Sequence, residues 1–569
     1  MQKSHSFPLS SMSLLFLMIL VGLLNACGSD SKNKIPASTS SSSVSNNFST
    51  SSSSSSMTTE RVLLSGTVTY DFVPHKNNSS GLNYLATEQR AVRGAVIEIL
   101  SENGVILDSS VTAADGSYLF NVSVNTFIKV RVKAELFQSA SLSQNTSPSW
   151  HFKVTDNTNN NALYVLVGSL VSTGASNSSR DLHAASGWGG SNYSSVRAAA
   201  PFAILDNIYI GISRLNQAGN TRDFKPLELR WSTKNNEAEG NYELGEIGTS
   251  FFDPEGEGSI YILGDANNDT DEFDSHVILH EWGHYLEENF SRSDSMGGEH
   301  SDGKALDMRL AMSEGFANAF SAMILNNPIY ADSQGSAQNS GLIFNISNKT
   351  RDVKGYFSEG SVASILYNYY NSSNNKISND IAPIFSVVSS NSYTAHEAMN
   401  SVFLFYGQLK TVFSDQAAEF NSLMLEQNIN GTDEYGTNEI NTGGLAVSLP
   451  VYKTISPDNV DINVCSSPEF GKFNKLANSQ FLKLTISQSG LYNIYATKAG
   501  GADAISKPEI IIYRKGNKIL TIENTLNNTA SGNVNLANGI YIIEIYDLSN
   551  NNPMNAEWNT LCFDVRVDG

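Results

Sequence analysis

His280-Glu281-Trp282-Gly283-His284 is a His-Glu-x-x-His run inside a stretch, Asp274 to Phe290, whose pattern predicts a helix. A helix turns once in 3.6 residues, so side chains four apart share a face. His280 and His284 therefore aim two imidazoles at one point, and Glu281 sets a free carboxylate beside them. Two nitrogen donors with an adjacent carboxylate suit a zinc ion and a base that takes a proton from an attacking water. The bland alternative is a chance match on a buried helix.

A catalytic zinc takes a third protein donor and keeps a fourth position open. The next helical pattern, about Leu306 to Leu325, carries Glu314 within Met312-Ser313-Glu314-Gly315-Phe316-Ala317-Asn318. The intervening loop holds Gly297, Gly298 and Gly303 and is long enough for an antiparallel return. Phe316, Ala317 and Ala319 suggest that Glu314 is partly buried, and a buried carboxylate needs a charge partner. A solvated helix residue is the alternative.

These motifs resemble those of the gluzincin metallopeptidases, nearest to the thermolysin- and fungalysin-like families. The stretch Glu314-Gly315-Phe316-Ala317-Asn318 is similar to their E-G-W-S-D segment. The resemblance implies that Glu314 is the third Zn²⁺ ligand and that Asn318 stands where an Asp orients a zinc-bound His. An amide oxygen accepts the imidazole N–H but adds less basicity than a carboxylate. It also implies that Glu281 is the general base and that the substrate is a protein or peptide. In fungalysin-like families a His precedes a G-x-V-W-A-x-x-L-Y helix. Ser358 to Tyr367 resembles that helix, and matching on Leu366-Tyr367 puts Tyr356 at the oxyanion-stabilising place. His300 and His396 are its rivals. Gly258 to Gly264 reads as a strand. In such folds the strand before the helix lies at a sheet edge and pairs with extended substrate; an interior strand is the alternative. Val196 to Leu215 has helical spacing, and Leu227 to Trp231 reads as a strand.

Asp265, Asn267, Asp269 and Asp271 recur at alternate positions before the His-Glu-x-x-His helix. Such oxygen donors can hold calcium, but the glycine and glutamate of a calcium loop are missing, so a solvated acidic loop is the favoured reading. Asp274 or Ser275 is the expected N-cap.

The surroundings point to export. Ser11 to Leu24 is apolar, with a length that suits a signal peptide and falls short of a membrane span. Leu24-Asn25-Ala26-Cys27 resembles a bacterial lipobox, which implies a lipid on Cys27; a plain secretory signal is the alternative. The tract that follows, to Thr59, is almost all Ser, Thr and Asn and reads as a flexible tether. Of the three cysteines, Cys465 and Cys562 remain. In an exported protein they either pair or stay as buried thiols. A net charge of −20 argues against a nucleic-acid or anionic-membrane surface.

The expected fold is multidomain α+β: a zincin-like core over 171–440 between two all-β sandwiches, after a signal peptide (1–26) and a tether (27–59). Residues 60–170 resemble carboxypeptidase regulatory-like modules through Arg93-Gly94-Ala95-Val96 and Asp115-Gly116-Ser117-Tyr118. Residues 441–569 are similar to pre-peptidase C-terminal domains, with Leu482, Leu484 and Ile486 alternating and turns at Lys515-Gly516-Asn517 and Asn538-Gly539. The reading is a monomeric zinc metalloendopeptidase of the bacterial envelope, anchored by lipid or secreted. A surface adhesion or glycan-binding lipoprotein on a degenerate zincin scaffold is the competing one.

Overall fold

The computed structural model describes residues 60–77, 79–139, 148–372, 379–500, 506–526, 528–552, 554 and 558–569. Cys27, the apolar stretch before it and the Ser-rich tract lie outside them. Among the described residues no helix is long and apolar enough to cross a membrane.

Alternation builds the central sheet. In the strand Phe127–Gln138, Ile128, Val130, Val132, Ala134 and Leu136 are buried while Lys129, Arg131 and Lys133 turn outward. It pairs antiparallel with Ala95–Ser101 on one side and Trp150–Asp156 on the other. Ile106–Val111, with every side chain exposed, closes that end.

The sheet does not stop at 170, which corrects the expected separation of an N-terminal sandwich. Trp150–Asp156 runs parallel to Leu227–Trp231, and Leu227–Trp231 runs parallel to Ser259–Ile262. Parallel neighbours need a crossover. Helix α1 (Ala200–Gln217) supplies the first one and packs back on the sheet with Phe202, Ile204, Leu205 and Ile208 buried. One sheet thus joins the segment before 170 to the segment carrying the histidines. Its outermost strand is Phe251–Asp253, paired antiparallel with Ser259–Ile262. The strand expected at the edge is therefore interior. The signal for the true edge is Asp253-Pro254-Glu255-Gly256, a turn that lets a short strand double back.

Three helices lie beyond this sheet: α2 (Ser275–Phe290), α3 (Met308–Leu325) and α4 (Glu359–Tyr370). Glycines set two of the contacts. A Cβ on Gly211 would stand 2.2 Å from Cζ3 of Trp282, so glycine lets α1 and α2 meet across that indole. A Cβ on Gly315 would stand 2.5 Å from the Val362 Cβ, so α3 and α4 close to near backbone contact. Trp282 is fully buried, and truncating such a side chain costs about 3–5 kcal/mol. In α3, every residue from Met308 to Ile324 is buried. A helix surrounded by protein must pair its polar groups inside.

The last region, from Tyr452 on, holds two five-stranded sheets around Val464, Leu482, Leu484, Ile510 and Phe563. Cys465 and Cys562 form a disulfide between the adjacent antiparallel strands Ile462–Ser466 and Leu561–Asp568. The chain is thus mixed α and β, with β-rich regions on both sides of the helices.

Candidate metal centre

Helix α2 starts at Asp274, which holds the N-cap position but makes no side-chain cap bond. Its carboxylate instead accepts from the Ser333 N–H and hydroxyl and lies 2.8 Å from His75 Nε2. The first turn of α2 is thereby pinned to the strand Ile329–Gln334. One turn further on, His280 and His284 face α3.

The i, i+4 spacing brings the two Nε2 atoms to 3.2 Å. Glu314 Oε2 stands 3.2 Å from that of His280 and 3.4 Å from that of His284. Zinc bonds of about 2.0–2.2 Å at tetrahedral angles put donor atoms roughly 3.3–3.5 Å apart, so the three are spaced as zinc ligands are. Glu314 Oε2 is buried and has no hydrogen-bond partner. A buried charged oxygen left open among imidazoles is what a cation would satisfy. The residues present fit Zn²⁺: two imidazoles and a carboxylate.

The far sides of the imidazoles are held. His280 Nδ1 lies 3.1 Å from Asn318 Oδ1. His284 Nδ1 lies 3.3 Å from Glu287 Oε2, which also accepts from the Ser313 hydroxyl at 2.6 Å. Fixing Nδ1 as the donor leaves Nε2 free to ligate. The amide at 318 therefore weakens one such partner only; a carboxylate serves the other.

Glu281 stands apart from this set, its Oε1 4.0 Å from His280 Nε2. Its Oε2 accepts the Phe252 N–H at 2.9 Å, so the edge strand itself steadies this carboxylate. Burial pushes the Glu281 carboxyl above its ordinary range, against the pull of His280 and His284. That suits a group that must take up a proton. Burial alone would raise the Glu314 carboxyl as well, but the charges of His300 and His284 and the close approach of the His280 and His284 rings hold it well below.

His300 comes from the glycine-containing loop between the two ligand helices. Its Nε2 lies 3.4 Å from Glu314 Oε2 and its Nδ1 2.8 Å from Glu359 Oε2, at the start of α4. Burial lowers the affinity of His300 for a proton, but Glu314 and Glu359 raise it to about 9.

Comparison with known proteins adds one relation. Residues 216–412 match the family model described as the mycolysin C-terminal domain, a span that contains α2, α3 and α4. A search of curated proteins finds no match. Among solved structures, the pre-peptidase C-terminal domain of a collagenase from Bacillus anthracis is similar at 11% identity, covering 21% of this chain and 94% of that one, with a TM-score of 0.15. A family 35 carbohydrate-binding module from Clostridium thermocellum is similar at 16% identity, covering 19% and 91%, with a TM-score of 0.13. Scores this low carry no structural argument.

The structure gathers His280, Glu281, His284, Glu314 and Asn318 in one place. It does not bring Tyr356 there, which corrects that expectation. The Tyr356 hydroxyl donates to the Ser448 carbonyl at 3.3 Å, and the ring packs on Phe357 and Phe403. Tyr356, three residues ahead of α4, turns into the core, and it is Glu359, inside the first turn, that reaches the site through His300. His396 is elsewhere too, its Nδ1 accepting from the Ala398 N–H at 3.0 Å. Glu287 escaped the sequence reading, although its place three residues after His284 put it on the same helix face. The acidic run also divides: Asp265 caps its own turn through the Asn267 N–H, while Asp269 and Asp271 point inward.

Proposed function

We propose that this chain is a zinc metalloendopeptidase that hydrolyses peptide bonds in proteins, with His280, His284 and Glu314 as the metal ligands and Glu281 as the general base. The observation that carries the reading is the meeting of those three donors around an unpartnered, buried Glu314 oxygen, with a separate carboxylate alongside.

Zinc bound there supplies the positive charge that polarises the scissile carbonyl and acidifies the attacking water. Glu281 takes the proton of that water and passes it to the leaving amine. The Phe252 N–H holds the Glu281 carboxylate in line. The strand Phe251–Asp253 is the outermost of the sheet and lies beside Glu281, and an extended substrate main chain would run along it. His300, braced by Glu359 through Nδ1, holds Nε2 3.4 Å from Glu314 Oε2, where a ring N–H steadies the negative oxygen that develops. Asn318 and Glu287 keep the two imidazoles oriented. The match to the mycolysin C-terminal domain supports a protease setting. Export with a lipid on Cys27, and action as a monomer at the cell envelope, complete the proposal.

Two measurements on the purified full chain test it: zinc per chain by elemental analysis, and casein hydrolysis with and without a chelator. Stoichiometric zinc and chelator-sensitive cleavage are expected. Zinc without cleavage would favour the degenerate scaffold; the absence of both would remove the reading.

A further inference from the structure

A second cluster of charged groups lies on the other side of the first turn of α2. Asp269, Asp271 and Asp332 each bring a carboxylate oxygen within 4.8 Å of the others. They are far apart in sequence: Asp269 and Asp271 flank the end of the short strand Asp269–Thr270, and Asp332 sits in Ile329–Gln334. Asp269 is 5% exposed and Asp271 2%. The Oδ1 atoms of Asp269 and Asp332 are buried with no hydrogen-bond partner. Asp271 Oδ2 accepts from the Ser250 hydroxyl.

Three converging carboxylates, Asp269 and Asp271 buried and Asp332 half-buried, repel one another, and each demands positive charge or a donor. The bases nearby are spoken for. Arg197 is committed to Glu272, Thr270 and the Gly264 carbonyl. His75 lies 2.8 Å from Asp274, and from there its charge also reaches Asp332. Asp274 is itself satisfied by Ser333 and stands outside the cluster.

We propose that Asp269, Asp271 and Asp332 bind a calcium ion that ties the strand ahead of α2 to the hairpin Ile329–Asn345. The donor set is all oxygen, which selects a hard cation over zinc. Mg²⁺ keeps several of its waters and is seldom held by a dedicated protein cage, whereas Ca²⁺ takes six to eight oxygens in flexible geometry, which suits carboxylates that converge from separate strands. The role follows from position. Ser333 holds Asp274 at the start of α2, and Asp332 is its neighbour, so the ion fixes the end of the helix that carries His280. The site is independent of the zinc ligands, and its test does not need activity.

The experiment uses the full chain, stripped with a calcium-selective chelator while zinc is held constant by a zinc buffer. Calcium is returned, and binding is followed by equilibrium dialysis with radioactive Ca²⁺ and by the thermal midpoint. One tight calcium per chain and a rise of a few degrees in the midpoint are expected. Asp271→Asn and Asp332→Asn should weaken binding at least tenfold and abolish the rise, while His284→Ala should leave calcium binding intact. Because the unmodified protein is titrated first, a variant that fails to fold does not blunt the test. No calcium uptake at millimolar concentration, equal uptake by Asp271→Asn, or an equal response to Mg²⁺ would each overturn the proposal.

Discussion

Arg309, near the start of α3, grips Glu544 of the strand Gly539–Asp547 in a two-pronged pair, Nη1 to Oε2 at 3.0 Å and Nη2 to Oε1 at 2.7 Å. Asp307 holds the same guanidinium through Nε and Nη2. The helix that carries Glu314 is thereby bolted to the C-terminal β region through a buried charge triad.

Removing one partner of such a pair strands the others. Glu544→Ala should cost about 3–5 kcal/mol, read as a lower denaturation midpoint. Burial raises the Glu544 carboxyl, but Arg309 more than offsets this and holds it below 4.5. A carboxyl depressed in the folded state adds stability that is full above its unfolded value and fades as pH falls through the folded one. The wild type should therefore lose stability below about pH 4.5 more steeply than Glu544→Gln. Parallel acid limbs for the two would contradict the pairing.

His284→Ala should leave the zinc site empty, because the remaining donors, His280 and Glu314, are too few for tight binding. Elemental analysis after dialysis reads this directly. Stoichiometric zinc in the variant would refute the ligand assignment.

Glu281→Gln separates binding from chemistry. It keeps the shape of the side chain, and the amide oxygen still accepts the Phe252 N–H. Zinc content and thermal midpoint should hold while casein hydrolysis falls by orders of magnitude. Near-normal turnover would mean that the proton goes elsewhere.

His300→Gln should lower kcat about 10²-fold with little change in KM, since a donor to the developing oxyanion acts mainly in the transition state. Tyr356→Phe should leave kcat near normal and cost about 1 kcal/mol of stability, the worth of its bond to Ser448. A crippled Tyr356→Phe beside a healthy His300→Gln would reverse the two roles.

The parts of the site that read clearly in the chain are those set by one helix. Spacing alone aligns His280 with His284, and the apolar neighbours of Glu314 announce its burial. The parts that did not read depend on distant returns. His300 reaches Glu314 only because its loop folds back against the start of α4, and no local pattern encodes that path. Tyr356 lies close to the right helix, but its side chain enters the core, and Glu359, three positions on, faces the cleft. The sheet shows the same limit. The alternation of 127–138 marks a strand, yet nothing in Trp150–Asp156 names Leu227–Trp231 as its parallel partner. Asp332 completes its cluster from beyond α3, so the run from 265 to 271 looked like a surface loop when read by itself.

The unbroken sheet bears on how this protein can change over generations. A module that folds by itself can be gained, lost or exchanged by splicing genes at its linker. The C-terminal β region, with its own core and disulfide, comes nearer to that condition, although Tyr452, Phe481 and Ile542 join the main core and Asn474 and Lys475 bond the loop ahead of α3. The segment before 170 does not: cutting there would strip Trp150–Asp156 from Leu227–Trp231 and leave an apolar interior strand as a raw edge, an invitation to aggregate. Relatives that keep the two metal-facing helices should therefore keep a counterpart of Phe127–Asp156 as well, whatever they carry at the other end.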